Sequence, residues 1–159
     1  MFGKFRKKSK RIEFSVDGKP PKKTQPSMWS TNSKQTQLVL DIRQKAYDTM
    51  KKEGLEKFHG PVKLSLIVYN SNPAERKDRH DYHGDLDSLI QGVFDSLQPS
   101  PPENNKLIIH PLLKETKEIR HDVALIIDDD AQITTTISKK RKSDKPFYKV
   151  LIENDNDFE

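Results

Sequence analysis

The stretch "PVKLSLIVYN", residues 61–70, decides how the rest of this chain can fold. Its apolar side chains recur at every second position and several of them are β-branched, which is the pattern of a β-strand. We expect this strand to lie in the centre of a sheet. The elements before and after it must therefore pair with it or pack on it.

Two amphipathic helices are predicted, one on each side of this strand. The first lies within residues 33–53, where apolar positions fall four residues apart, and Gly54 is expected to end it. The second lies in "GDLDSLIQGVFDSLQ" (84–98), and Pro99 stops it. The apolar faces comprise Leu38, Ile42, Ala46 and Met50 in the first helix, and Leu89, Ile90, Val93, Phe94 and Leu97 in the second.

Four further runs have the character of strands. They are "RIEFSVDG" (11–18), "VALII" (123–127), "QITTTISKKRK" (132–142) and "FYKVLIEN" (147–154), of which the last two are predicted to form a closing hairpin through "SDKP". The polar stretch 99–122 is interpreted as an insertion loop with a marginal strand at "KLIIH". The expected fold class is α+β, a small mixed sheet of four to five strands packed with two helices in the order β-α-β-α-β-β-β.

Size and composition predict a single domain. A chain of 159 residues can bury one core, which we assign to residues 11–154, between a basic tail (1–10) and an acidic tail (155–159). No run is long enough to span a membrane, and the basic N-terminus lacks the apolar block of a secretory signal. We expect a cytoplasmic or nucleoid-associated protein with no membrane partner. Because the chain has no cysteine, a metal site would use Asp, Glu or His.

The distribution of charge favours a polyanionic partner. The net charge is +5, and the first 34 residues hold ten Lys or Arg against two acids, whereas the last nine hold four acids and no base. A basic surface attracts nucleic acid through counterion release, and the loop "KPPKKTQPSMWSTNS" (19–33) could contact phosphate. The alternative is that the basic tail only keeps the protein in solution.

Two acidic clusters are candidates for a metal site. Asp85 and Asp87 open the second helix, and three aspartates (128–130) follow "VALII" without any neighbouring cation in the sequence. Either cluster alone is commonly a helix cap or a solvated turn. Together, in a basic chain, they indicate a site for Mg²⁺, which takes carboxylate oxygens and leaves positions for water and phosphate. The polar side of the helix continues at four-residue steps through Asp87, Gln91 and Asp95.

Other metal sites fit less well. A calcium loop starting at Asp85 would place Leu89 and Ile90 where a ligand and a glycine belong. His80 and His83 have the spacing of a zinc pair on a helix, but their surroundings have the character of a loop. We expect them, with His121, to be surface or phosphate-contacting histidines.

The residues "DLDSLIQGVFDSL", followed by "DDDAQI" and the basic strand "TTTISKKR", resemble the RusA-type Holliday-junction resolvases, a family of small homodimeric Mg²⁺-dependent endonucleases. The family pattern is D-x-D-N at a helix start, a lysine one turn later, another aspartate, and D-D-x-Q before a strand. The resemblance runs from the first strand to the last. It implies that the catalytic residues are Asp85, Asp87 and Asp130, that these bind Mg²⁺ or Mn²⁺ together with Asp129, and that Asp95 is the later helical acid. Gln91 and Asp95 are candidates to support the site.

Three departures from the family pattern affect the expected chemistry. Ser88 stands where the family has asparagine, Gln91 stands where it has lysine, and the connection from 98 to 128 is longer. The missing lysine removes a cation that could hold the scissile phosphate. Lys139 or Lys140 could replace it.

The function implied is resolution of four-way DNA junctions by paired nicks in a homodimer, through hydrolysis of phosphodiester bonds. One alternative is a nucleic-acid-binding protein of the same fold with weakened chemistry, and another is a phosphohydrolase of small nucleotides. Trp29 is expected either to stack on a base or to cover the core edge or a dimer contact. The bases expected to grip the DNA backbone are Arg76, Lys77, Arg79, Lys139, Lys140, Arg141 and Lys142.

Overall fold

The structure, a computed structural model, describes residues 10–23, 28–31, 33–69, 85–100 and 108–158. The strands are β1 (Arg11–Asp17), β2 (Val62–Tyr69), β3 (Ile133–Arg141) and β4 (Phe147–Asn154). The helices are α1 (Thr36–Glu53), α2 (Leu86–Leu97) and the short α3 (Pro111–Glu115), and two 3₁₀ turns cover Lys117–Ile119 and Asp130–Gln132. The α+β class is confirmed. Within these ranges no helix has the length and apolar character needed to cross a membrane.

The four strands form one mixed sheet in the order β1-β4-β2-β3. As predicted, β2 is central, and it pairs antiparallel with β4 and parallel with β3. The predicted β3–β4 hairpin is wrong, because the chain leaves β3 at one edge and returns as β4 on the other side of β2. Exposure follows this order: β4 has no exposed residue and lies in the interior, whereas the edge strands β1 and β3 each have several exposed residues. The Thr and Lys residues of β3 suit it to an edge.

Residues 125–127 of "VALII" are buried, but the run is not a strand, so the described residues form a sheet of four strands and not five. The run forms one isolated β-bridge, between Ile127 and Phe58. The N–H of Ile126 donates to the carbonyl of Leu97, and the carbonyl of Ile126 accepts from the N–H of Phe58. The carbonyl of Val123 accepts a hydrogen bond from the Arg43 guanidinium. In the described part of "KLIIH", residues 108–110, Ile109 forms one bridge to Ser30.

The main core lies between one face of the sheet and the helices α1 and α2. Helix α1 ends at Gly54, as predicted, where φ is 62° and glycine carries no steric cost. A smaller cluster comprises Met28, Trp29, Val39, Ile109 and Leu113. Part of the predicted insertion loop is therefore packed structure. Trp29 is 3% exposed, so it covers the core and is not placed to stack on a base.

Arg43 of α1 is fully buried and joins three parts of the chain. Its guanidinium donates hydrogen bonds of 2.7–3.3 Å to five backbone carbonyl oxygens. Burial lowers the pKa of Arg43 to about 10, so the group remains charged at neutral pH. The acceptors, which hold the end of α2 and the segment before "VALII", are Ser96, Gln98, Ile119, Arg120 and Val123.

Candidate functional site

Asp85 caps α2. Its backbone is extended, and its side chain accepts a hydrogen bond of 2.8 Å from the N–H of Ser88. This hydrogen bond is the main cause of the lowered pKa of Asp85, and the charge of Lys140 adds to it. The side chains of Asp85 and Asp87 would point the same way only if the chain stayed extended up to Asp87. Helix α2 begins earlier, at Leu86.

The three aspartates that follow "VALII" have different partners. Asp128 forms an ion pair of 2.6 Å with Lys57, so a cation from elsewhere in the chain offsets one of the three charges. Asp129 accepts a hydrogen bond of 2.8 Å from the N–H of Ala131 and caps the 3₁₀ turn. Asp128 and Asp129 therefore have structural roles, and Asp130 is the aspartate of this run that lies against the end of α2.

Gln132 holds this acidic turn in place. Its side-chain oxygen accepts hydrogen bonds from the N–H groups of Asp128 and Asp129, and its side-chain nitrogen donates to the carbonyls of Phe58 and Gly60. The distances are 2.7–3.1 Å. The glutamine of the "DDDAQ" run thus fixes where the aspartates lie.

Gln98 brings Asp130 to the end of α2. The N–H of Asp130 donates to the side-chain oxygen of Gln98 at 2.7 Å, and the side-chain nitrogen of Gln98 donates to Asp95 at 3.1 Å. Desolvation raises the pKa of Asp95, and the nearby charge of Asp130 raises it further. Desolvation also raises the pKa of Asp130, together with its hydrogen bond to the Asp129 side chain. Acids from two distant segments therefore meet here.

A short lysine segment runs along the same helix. The N–H of Lys23 donates to the carbonyl of Ser88 at 3.1 Å. The charge of Lys23 counteracts the raised pKa values of Asp95 and Asp130, and that of Lys22 lowers the pKa of Asp85. Cations therefore lie beside the carboxylates at both ends of α2.

Gly92 allows this segment to approach α2. A Cβ atom at Gly92 would lie 2.0 Å from the carbonyl oxygen of Pro21 and 2.8 Å from the Cα of Lys22. We expect Gly92→Ala to force residues 21–23 off the helix and to lower the free energy of unfolding by about 1–3 kcal/mol, measured by urea denaturation. Gly60→Ala is the matched control, because a Cβ there meets nothing within 4 Å. Equal stability of the two variants would contradict the assignment.

The predicted metal ligands fall into two groups along α2. Asp85 and Asp87 lie at its start and Asp130 lies near its end, and the ten positions from Asp85 to Asp95 correspond to about 15 Å of helix. In the part of the chain that the structure describes, no three Asp, Glu or His side chains are grouped closely enough to hold a metal ion. The ligand set Asp85, Asp87, Asp129 and Asp130 stays a prediction. Gln91 is exposed between Asp87 and Asp95, on the predicted polar side of the helix.

Strand β3 divides the basic run 139–142 between two faces of the sheet, because successive residues of a strand point to opposite sides. Lys140 is in register with the buried Val68 and lies near Asp85, whose charge opposes the lowering of the Lys140 pKa by burial. Lys139 and Arg141 point to the other face. The run therefore does not form one basic surface. Outside the described residues lie Arg76, Lys77, Arg79, His80 and His83.

His121 belongs to the core and not to the surface, contrary to expectation. It is 3% exposed, and its Nδ1 atom lies 2.6 Å from the hydroxyl of Ser100. The backbone N–H of His121 donates to the carbonyl of Leu113. These contacts attach the segment after α2 to α3, away from any contact with phosphate.

Sequence reasoning missed the residues that assemble this site. Gln98 carries no local signal, because its partner Asp130 lies far away in sequence. Lys23 was predicted only as part of a loop that could contact phosphate, and its position beside α2 was not. Gln132 had a signal, since Asp followed three residues later by Gln forms a capping box.

Comparison with known proteins does not assign a family. No protein-family model matches this chain, and a search of curated proteins finds no match. The likeness to the RusA-type resolvases therefore rests on the residues quoted above.

Proposed function

We propose that this protein is a Mg²⁺-dependent endonuclease that cuts branched DNA, acting as a homodimer in the cytoplasm or at the nucleoid. The observation that carries the proposal is the bridge through Gln98 that holds Asp130 beside Asp95. The resemblance to the RusA-type resolvases supports the same activity and substrate class.

The donor chemistry at the bridge fits a hard cation. Desolvation raises the pKa of both Asp95 and Asp130, and a neighbouring carboxylate raises each further: Asp130 acts on Asp95, and Asp129 acts on Asp130. A divalent cation relieves such repulsion. Mg²⁺ needs only one or two protein carboxylates when water and phosphate complete its shell. Asp95 and Asp130 would hold it, with Asp87 farther along the same side of α2.

The chain's own cations suit a DNA backbone. Lys23 lies beside Asp95 and Asp130, and Lys22 and Lys140 lie beside Asp85. These lysines can hold phosphates along the acidic side of α2 and so align the strand with the carboxylates. Lys140, near Asp85, is the proposed substitute for the cation that is missing at Gln91. When bound, Mg²⁺ supplies an activated water and stabilises charge on the phosphoryl oxygens.

The test is cleavage of a labelled four-way junction by the full chain, with a linear duplex of the same sequences as substrate control. We expect symmetric paired nicks in Mg²⁺ or Mn²⁺, none in EDTA, and little cutting of the duplex. Binding without cleavage in either metal would support the nucleic-acid-binding alternative. Hydrolysis of mononucleotide esters with no preference for branched DNA would support the small phosphohydrolase.

A further inference from the structure

The face of the sheet turned away from α1 and α2, here called the open face, has no role in the proposed active site. The strand registers align its side chains in rows across β1, β4, β2 and β3. All of these side chains are half-buried or exposed. Three successive rows are Glu13–Leu151–Ser65–Ile137, Ser15–Lys149–Ile67–Lys139 and Asp17–Phe147–Tyr69–Arg141.

An aromatic pair lies on the two central strands, in the last row at one end of the open face. The rings of Tyr69 and Phe147 stack with centroids 4.2 Å apart and planes within 7° of parallel. The ammonium of Lys149 lies 5.8 Å from the centre of the Tyr69 ring. Ile67 and Leu151 extend the apolar surface along the two central strands. Aromatic rings at a partly exposed position can receive a further flat, apolar group.

Three cations lie near this pair and form no ion pair within the described residues, although Asp17 and Glu13 of the edge strand β1 lie on the same face. Among the described residues, ion pairs join Arg11 to Glu13 and bring Lys63 to Asp155 and Asp157. In the same ranges none involves Lys139, Arg141 or Lys149. Because Lys139 and Lys149 flank Ile67 in one row and Arg141 adjoins Tyr69 in the next, the positive charge and the aromatic rings form one surface.

We propose that the open face binds single-stranded nucleic acid. Bases stack against the Tyr69–Phe147 pair, and Lys139, Arg141 and Lys149 contact the phosphates. Only unpaired bases can reach the rings, since the sheet is too broad to enter a duplex groove. A second copy of the chain fits less well, because a two-fold contact through this face would set the two groups of three cations against each other.

This surface is separate from the carboxylates, so it can be tested without cleavage. We would measure the anisotropy of a labelled oligothymidine with the full chain in EDTA over a range of salt concentrations. The triple variant Lys139→Gln, Arg141→Gln, Lys149→Gln is expected to bind about tenfold more weakly or worse, and to lose about two units of the salt slope for three phosphate contacts. Tyr69→Leu is expected to weaken binding about tenfold with an unchanged slope.

The matched control is Lys45→Gln, Lys51→Gln, Lys52→Gln, which removes the same charge from exposed positions of α1. It should bind nearly as the wild type does, and thermal unfolding checks that all variants fold. A second readout is photo-crosslinking of a bromodeoxyuridine oligonucleotide, with the adduct expected at Tyr69. Equal losses in both triple variants, or adducts confined to α1, would overturn the proposal. The proposal would also be overturned if the wild type were a dimer and only the open-face triple variant were a monomer. This face would then be an interface between two copies of the chain.

Discussion

Replacing Arg43 with methionine is expected to lower the free energy of unfolding by about 4 kcal/mol or more. Methionine can fill much of the space but donates no hydrogen bond, so five carbonyl oxygens lose a buried charged donor. Arg43→Lys should recover only part of the loss, because an ammonium cannot reproduce the planar fork of a guanidinium. Urea denaturation of the purified variants measures both effects.

Arg120→Met is the matched control for this experiment. Arg120 is exposed and pairs with Asp122 at 3.1 Å on the surface, an interaction worth about 0–1 kcal/mol. A similar loss of stability in the two variants would show that the five hydrogen bonds of Arg43 do not stabilise the fold. Arg43 also donates a hydrogen bond to the carbonyl of Gln98. The milder variant Arg43→Lys should therefore weaken the positioning of Gln98 in the site while the chain still folds.

Replacing Asp130 with asparagine is expected to reduce cleavage of a four-way junction by about 100-fold or more, while binding of the junction in EDTA persists. Asparagine keeps the backbone N–H that reaches Gln98 but removes the charge that would hold a cation. Asp95→Asn should cause a comparable loss. Gel-based cleavage rates in Mg²⁺ measure the effect, and Asp144→Asn, in the turn between β3 and β4, is the control.

The same variants should not be less stable than the wild type at neutral pH. The folded-state pKa values of Asp95 and Asp130 are raised, so each ionised carboxylate destabilises the fold once the pH exceeds its unfolded pKa. That cost grows as the pH rises to the folded pKa and is constant above it. An amide avoids the cost, so the melting temperature should stay level or rise. A fall in both activity and melting temperature would indicate a structural defect instead.

Much of the candidate site was predictable in kind but not in arrangement. The "DLD" and "DDD" runs identified acids at the ends of regular elements, and the helical spacing placed Gln91 and Asp95 on the polar side of α2. The pairing of Asp130 with Asp95 was not predictable, because Gln98 makes it through hydrogen bonds to a segment 32 positions away. Likewise, the basic run 139–142 could not be divided between two surfaces until the neighbour of β3 was known.

Local periodicity by itself determined the helices α1 and α2 and the four strands of the sheet, including the central strand β2 and the end of α1 at Gly54. It did so because side chains alternate along a strand and recur about every 3.6 residues on a helix, wherever the segment lies. Only the tertiary structure decided that β4 lies between β1 and β2. It also decided that "VALII" joins no strand and is bonded to Arg43 through Val123, and that Asp130 lies beside Asp95 and not beside Asp85. These choices depend on burial and hydrogen bonds between segments distant in sequence, which no local pattern encodes.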